Sequence, residues 1–186
     1  MTVATSSPRP VLYLFGSAAP PVLSAAQIVR HAQFRGWDVA LGLTPTAAGW
    51  LQDEMSKLRR LTGHPVKSVY RRPGDPDLLP PADAVLFAPA TMNCINSLAL
   101  GLTTSWVVGY AAEAIGKGIP VAVVPCLNTA LAAHPQFPRS VETLRGAGVR
   151  VLLGDGGFVP NDPGEERPEG YPWEAALGAA KESLER

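Results

Sequence analysis

Short, continuous apolar runs alternate with helix-like segments along this chain, and this alternation constrains the fold more than any other feature. The clearest runs are VLYLF (11–15), ADAVLFAP (82–89) and PVAVVP (120–125). Runs of this length and composition are typical of strands that are buried on both faces. Because strands and helices alternate, the sequence predicts βαβ units and a three-layer α/β fold, with a Rossmann-like parallel sheet and helices on both faces.

The remaining segments complete this pattern. Further strands are predicted over WDVALGL (37–43), VKSVY (66–70) and VRVLLG (149–154). Helices are predicted over 22–36, 44–63, 94–118 with a break near 101–104, 136–148 and 173–186. Two Gly- and Pro-rich segments, 71–82 and 154–172, are predicted to be irregular. We interpret residues 1–9 as a disordered lead and residues 10–186 as a single domain.

Composition and charge exclude several classes of protein. The 16 Lys and Arg residues balance the 16 Asp and Glu residues, so no surface for nucleic acid or an anionic membrane is expected. No apolar run is long enough for a transmembrane helix and the polar N-terminal segment lacks the plan of a signal peptide, so we expect a cytoplasmic protein. The two cysteines are expected to be reduced, and no metal-ligand spacing or Gly-x-Ser-x-Gly elbow is present.

Small and hydroxyl-bearing residues follow several of the predicted strands. The first strand is followed by GSAA (16–19), the second by TPTAA (44–48), the strand at 82–89 by ATMNC (90–94) and the next by CLN (126–128). Because the carboxyl ends of parallel strands lie at one edge of a sheet, we expect these residues to surround a ligand crevice.

A phosphate is the ligand group that the first two strand ends favour. Gly16 lets a backbone come close to a ligand, while Ser17, Thr44 and Thr46 offer hydroxyl groups beside helix N-termini. The alternative is that Ser17 and Thr44 are ordinary helix N-caps. Neither G-x-G-x-x-G nor a Walker P-loop is present, so a mononucleotide such as FMN fits better than NAD or ATP.

These motifs, in this order, resemble those of the homo-oligomeric flavin-containing cysteine decarboxylases. That superfamily includes the phosphopantothenoylcysteine decarboxylases and the peptidyl-cysteine decarboxylases of lantibiotic biosynthesis. Its members carry a strand ending in Gly-Ser, a T-P-S/T-A turn, a P-A-S-A-N-T motif and a P-x-M-N-x-x-M-W motif. Their counterparts here are GSAA, TPTAA, PATMNC and PCLN, and the resemblance covers residues 10–153.

The resemblance implies an FMN cofactor and specific site residues. The asparagine of P-A-S-A-N-T lies beside flavin and substrate carboxylate in the family, and Asn93 occupies its place. Asn128 matches the asparagine of the second motif, and Cys94 replaces a threonine, so the alignment gives this thiol no nucleophilic role. The predicted cofactor-binding residues are Gly16, Ser17, Ala18, Thr44, Thr46, Pro89, Ala90, Thr91, Thr103 and Thr104.

Three departures from the family pattern bear on the reaction. Asp75 stands where the family has a catalytic histidine, and an aspartate would transfer protons differently. The second motif has Leu127 for methionine, and Leu131 and Ala132 for its closing Met-Trp. No cysteine follows Cys126, so the later reduction step of the phosphopantothenoylcysteine enzymes is unsupported.

Two functions therefore stay open at this point. The first is an FMN-dependent enzyme that oxidatively decarboxylates a peptidyl or small cysteine-containing substrate to an enethiol. The second is a flavin-binding regulatory or partner subunit without decarboxylase activity. The resemblance also implies a homo-oligomer built from trimers, with the flavin sites between subunits. The segment 154–172 is either a lid over the crevice or a disordered surface excursion.

Overall fold

A computed structural model describes residues 9–165 and 167–184, and it has a five-stranded parallel sheet at its centre. The strand order is β2-β1-β3-β4-β5. The strands are β1 (Val11–Gly16), β2 (Asp38–Leu43), β3 (Ala84–Ala90), β4 (Val121–Pro125) and β5 (Arg150–Val151). The predicted parallel α/β sheet is confirmed. The predicted lead at 1–9 falls almost wholly outside the described residues.

Eight α-helices surround this sheet in the described ranges. They are α1 (Ala25–Phe34), α2 (Pro45–Trp50), α3 (Met55–Thr62), α4 (Met92–Leu100), α5 (Trp106–Gly116), α6 (Thr129–Ala132), α7 (Gln136–Gly146) and α8 (Trp173–Ser183). Short 3-10 helices cover Pro20–Ser24, Gln52–Glu54 and Pro168–Gly170.

Alternating side chains of the strands form two hydrophobic layers, one on each face of the sheet. Leu12 and Leu14 of β1 pack in the layer that contains α1, α3 and α8, whereas Tyr13 and Phe15 pack in the layer that contains α4, α5 and α7. This alternation follows from the two-residue period of a strand. Every residue of β1 and β3 is buried. The three-layer arrangement predicted from the apolar runs is therefore observed.

The predicted strand at 66–70 is wrong. Only Lys67 forms a bridge with the edge strand β2, through hydrogen bonds to Leu41 and Leu43. Beyond it, the Tyr70 hydroxyl donates to the carbonyl oxygens of Thr103 and Ser105, at 2.9 and 3.1 Å. These bonds tie the segment to the α4–α5 loop, so it leaves the sheet edge after a single bridge.

Several predicted boundaries also change. The helix predicted over 44–63 is interrupted by the buried Leu51 and a 3-10 turn, and residues 20–24 form a 3-10 helix ahead of α1. The last strand is shorter than predicted, and α6 was missed. The predicted break between α4 and α5 is observed, with Gly101 in the left-handed conformation that ends α4. None of the helices in the described ranges could span a bilayer.

Candidate functional site

A cavity of about 680 Å³ lies at the carboxyl ends of β1, β3 and β4. The chain runs from β1 to β2 on one side and places β3 on the other side of β1, so the cavity lies at the point where the strand order reverses. Ligands of open α/β sheets bind at this position. The residues around the cavity are Ala18, Ala19, Pro20, Pro21, Thr91, Met92, Asn93, Asn96, Cys126, Leu127, Asn128, Leu131, Phe158, Asn161, Gly164, Glu165, Arg167, Pro168 and Tyr171.

The cavity brings together four of the residues predicted from sequence: Ala18, Thr91, Asn93 and Asn128. Thr91 precedes α4 in extended conformation, and Asn93 lies in the first turn of that helix. Asn128 caps α6, where its Oδ1 accepts a hydrogen bond from the amide of Leu131 at 2.9 Å. The cap occupies the oxygen, so the NH₂ group of Asn128 is the part of its amide left for a ligand.

Ser17 follows β1, next to Ala18 of the cavity lining, and its side chain joins the ends of β1 and β3. Its hydroxyl donates to the carbonyl oxygen of Pro89 and accepts from the amide of Thr91, both at 2.8 Å, and its own amide also donates to Pro89. The side chain is 1% exposed. The hydroxyl and the backbone amide of Ser17 therefore both already donate to Pro89. Either group would have to break that hydrogen bond in order to donate to a phosphate. The alternative that Ser17 caps a helix is also not what the structure shows.

We expect Ser17→Ala to lower the free energy of unfolding by about 2 kcal/mol, because the buried amide of Thr91 would lose its acceptor. Urea denaturation of the apoprotein measures this loss. FMN affinity measured by fluorescence quenching should change less than about threefold if the hydroxyl is structural. A tenfold or larger loss of affinity with unchanged stability would instead assign Ser17 to the phosphate.

The other residues predicted near a phosphate lie at neighbouring strand ends outside the cavity lining. A Cβ atom on Gly16 would come within 2.8 Å of Val22, so close packing alone explains this glycine. Thr44 is the N-cap of α2, with Oγ1 3.4 Å from the amide of Ala47, as the alternative interpretation proposed. Thr46 is exposed in the first turn of α2, whereas Pro89 and Ala90 are buried in β3.

Three predicted residues lie away from the cavity. Thr103 and Thr104 are exposed in the α4–α5 loop, and Thr103 borders a second cavity, of about 820 Å³, beside α5. Asp75 is exposed in the irregular segment 71–82, where its carboxylate accepts a hydrogen bond from the amide of Arg72 at 2.9 Å. Asp75 does not border the cavity that contains Asn93. Their roles at the site stay predictions.

The segment 154–172 borders the cavity and supplies residues that sequence reasoning missed. Phe158 and Tyr171 are buried, and their ring centroids are 5.8 Å apart. The Tyr171 hydroxyl donates to the carbonyl oxygen of Val124 at 2.7 Å, which attaches the segment to the end of β4. Burial raises the pKa of Tyr171 well above its usual value. We call the described part of residues 158–171 the lid. The sequence signal for these buried residues was the presence of aromatic side chains within a Gly- and Pro-rich segment.

Cys94 and the histidines are structural. The Cys94 thiol is buried beside Thr91, its burial raises its pKa, and Oγ1 of Thr91 lies 3.4 Å from Sγ. A thiol in such surroundings is a poor nucleophile. His64 pairs with Asp38 at the amino end of β2, at 2.8 Å. His134 does not border the cavity, and its Nδ1 accepts a hydrogen bond from the amide of Gln136 at 3.1 Å.

A comparison with models of protein families identifies the family of this chain. The model of the family described as "Flavoprotein" matches residues 4–176. The chain belongs to this Flavoprotein family. The membership predicted from the motifs is therefore confirmed. No match was found among curated proteins by sequence.

Solved structures with the same fold include flavin enzymes. The FMN-dependent cysteine decarboxylase TvaF from thioviridamide biosynthesis is 21% identical, with a TM-score of 0.69 over 95% of this chain and 99% of that one. A PPC decarboxylase mutant is 16% identical, with a TM-score of 0.71 over 95% and 99%. AnUbiX in complex with FMN and dimethylallyl pyrophosphate is 11% identical, with a TM-score of 0.69 over 96% and 93%. At these identities the likeness shows the shared fold.

Proposed function

We propose that this Flavoprotein family member binds FMN in the cavity and oxidatively decarboxylates a cysteine-containing substrate, peptidyl or small, to an enethiol. The observation that carries the proposal is the cavity itself, which lies at the switch point of the sheet and places Asn93 and Asn128 of the two motifs on one surface. The FMN-dependent decarboxylases with this fold support the same function.

The chemistry of the cavity fits a flavin. Its volume of about 680 Å³ lies in the range of small-molecule sites. Its walls combine apolar side chains with the neutral amides of Asn93, Asn96, Asn128 and Asn161. The side-chain oxygen of Asn96 is buried and has no hydrogen-bond partner in the described ranges. Neutral amides with free hydrogen-bonding capacity match the alternating carbonyl and N–H groups of a flavin ring system.

When bound, FMN supplies a two-electron oxidation of the substrate's cysteine thiol to a thioaldehyde, which takes up the electron pair released as the carboxyl group leaves as carbon dioxide. The residues of this chain bind and orient the substrate for that reaction. The NH₂ groups of Asn93 and Asn128 would hold the substrate carboxylate. The lid, attached through Tyr171, would exclude water and so strengthen these hydrogen bonds.

The described lining of the cavity contains no histidine. Its groups that can exchange a proton are Cys126, Tyr171 and Glu165, whose carboxylate pairs with Arg167 at 2.6 Å. Asp75 lies outside this lining. A catalytic role for Asp75 therefore belongs to an assembly in which a second copy of the chain presents it to the site.

A homo-oligomer is part of the proposal. Large apolar side chains are exposed on both sides of the hydrogen bond between Tyr70 and Thr103: Val69 is 64% exposed and Leu102 is 52% exposed. Leu100, the last residue of α4, is 59% exposed. Several large apolar side chains exposed near one another favour an interface. The trimeric stoichiometry implied by the resemblance, and the cytoplasmic location, stay predictions.

We expect Leu102→Asp to dissociate this assembly, because a charge would be buried at the interface without a partner. Size-exclusion chromatography with light scattering should show a multiple of three chains for the wild type and a lower mass for the variant. Leu23→Asp, at another exposed leucine (61%), serves as the matched control and should leave the mass unchanged. A monomeric wild type would contradict the oligomer proposal.

A flavin-binding subunit without decarboxylase activity is the second candidate. It is favoured by the position of Asp75 and by Leu131, which borders the cavity where the family motif has methionine. The experiment that tests both is titration of the apoprotein with FMN, followed by absorbance and fluorescence quenching. Saturable binding of one FMN per chain supports both functions, and a protein that ignores FMN contradicts both. Bleaching of the bound flavin by a peptide that ends in cysteine then separates the enzyme from the subunit.

A further inference from the structure

Asn96 occupies a position at the cavity that neither motif predicts. It lies in α4 three residues after Asn93, so the two side chains share one face of the helix. The opposite face of α4 carries Cys94, Ile95 and Leu98 into the hydrophobic layer. Both asparagines border the cavity. The helix therefore presents a pair of amides to the site from one rigid element.

The hydrogen bonding of the Asn96 side chain is incomplete among the described residues. Its Oδ1 is buried and has no partner among the described residues, whereas Oδ1 of Asn128 is held by the amide of Leu131. A buried carbonyl oxygen without a donor lowers stability. The terminal torsion of asparagine is broad and two-fold, so a ligand in the cavity that Asn96 borders could be met by rotation of this oxygen about the Cβ–Cγ bond. A bound molecule with an N–H group there would supply the missing donor.

We propose that Asn96 is a ligand-positioning residue whose side-chain oxygen accepts a hydrogen bond from an N–H group of the molecule in the cavity. This inference rests on the proposed function. Two N–H groups have the required chemistry: the imide N–H of the flavin ring and an amide N–H of the substrate. Both are uncharged hydrogen-bond donors. A neutral donor can be buried among the uncharged amides of the site without the free-energy penalty of burying a charge.

The test compares wild type with Asn96→Leu, which keeps the approximate shape and removes both hydrogen-bonding groups. Each apoprotein is titrated with FMN and with an FMN analogue methylated at the imide nitrogen, and each FMN-loaded protein is titrated with a cysteine-ending peptide. Thermal unfolding of the apoproteins is the control for folding. The variant should be at least as stable as wild type, because an unsatisfied oxygen is removed.

Two results would support the inference and distinguish the sources. If the flavin imide is the donor, Asn96→Leu weakens FMN binding about tenfold, and it abolishes the preference of wild type for FMN over the methylated analogue. If the substrate is the donor, FMN binding is unchanged and peptide binding weakens about tenfold. Unchanged affinities for both ligands would overturn the inference while leaving the proposed function intact. A wild type that binds no FMN would overturn the proposed function and this inference with it.

Discussion

Asn128→Asp is expected to slow bleaching of the bound flavin by a cysteine-ending peptide about 100-fold. Aspartate caps a helix as well as asparagine, so α6 should keep its first turn. The substitution removes the NH₂ group proposed to hold the substrate carboxylate, and it places a negative charge beside that carboxylate. Anaerobic stopped-flow absorbance measures the rate, and FMN affinity should stay within about threefold of wild type.

Asn128→Ser is the matched control for charge. Serine also caps a helix but is neutral, so this variant loses only the NH₂ donor. We expect a reduction of about tenfold, between wild type and Asn128→Asp. If both variants bleach the flavin at the wild-type rate, Asn128 does not contact the substrate.

Tyr171→Ala is expected to lower the free energy of unfolding by about 4 kcal/mol. The ring is buried between Phe158 and Trp173, with centroid distances of 5.8 and 4.8 Å, and its removal would leave a cavity under the lid. With the ring packing between Phe158 and Trp173 lost, the lid should lose its position, and FMN affinity should fall more than about tenfold. Chemical denaturation and flavin fluorescence measure the two effects, with affinity taken at a temperature where the variant is folded.

Tyr171→Phe separates the ring from the hydroxyl. This variant keeps the packing and loses the hydrogen bond to Val124, so we expect a loss of about 1 kcal/mol and nearly wild-type FMN affinity. If Tyr171→Ala is destabilised while its FMN affinity is unchanged, the lid stabilises the fold and does not cover the flavin.

The sheet was predictable because its strands are buried on both faces. The runs at 11–15, 82–89 and 120–125 contain almost no polar side chain, and this pattern has few interpretations other than a parallel sheet. The segment 66–70 includes Lys67 and Ser68 and is less apolar than these runs. It forms only one bridge with β2, and Tyr70 then bonds to the α4–α5 loop. Local patterns carry no information on such a contact, which depends on a loop more than thirty residues away.

The site was predictable only where a motif fixes the backbone. Thr91, Asn93 and Asn128 follow strand ends directly, so the fold brings them to one cavity. Ser17 also follows a strand end, but its hydroxyl joins β1 to β3, a role that depends on which strand lies beside β1. Asn96 and the lid residues were missed. Which side of a helix faces the cavity, and where a long loop packs, depend on tertiary contacts that local sequence patterns do not reveal.

We propose that this chain couples flavin reduction to loss of the carboxyl group of a cysteine. The most direct measurement is a single anaerobic turnover, in which FMN-loaded protein is mixed with a cysteine-ending peptide, flavin absorbance is followed, and carbon dioxide and product are quantified by mass spectrometry. We expect one carbon dioxide and one enethiol peptide for each flavin reduced. A flavin that stays oxidised, or that is reduced without release of carbon dioxide, would contradict it.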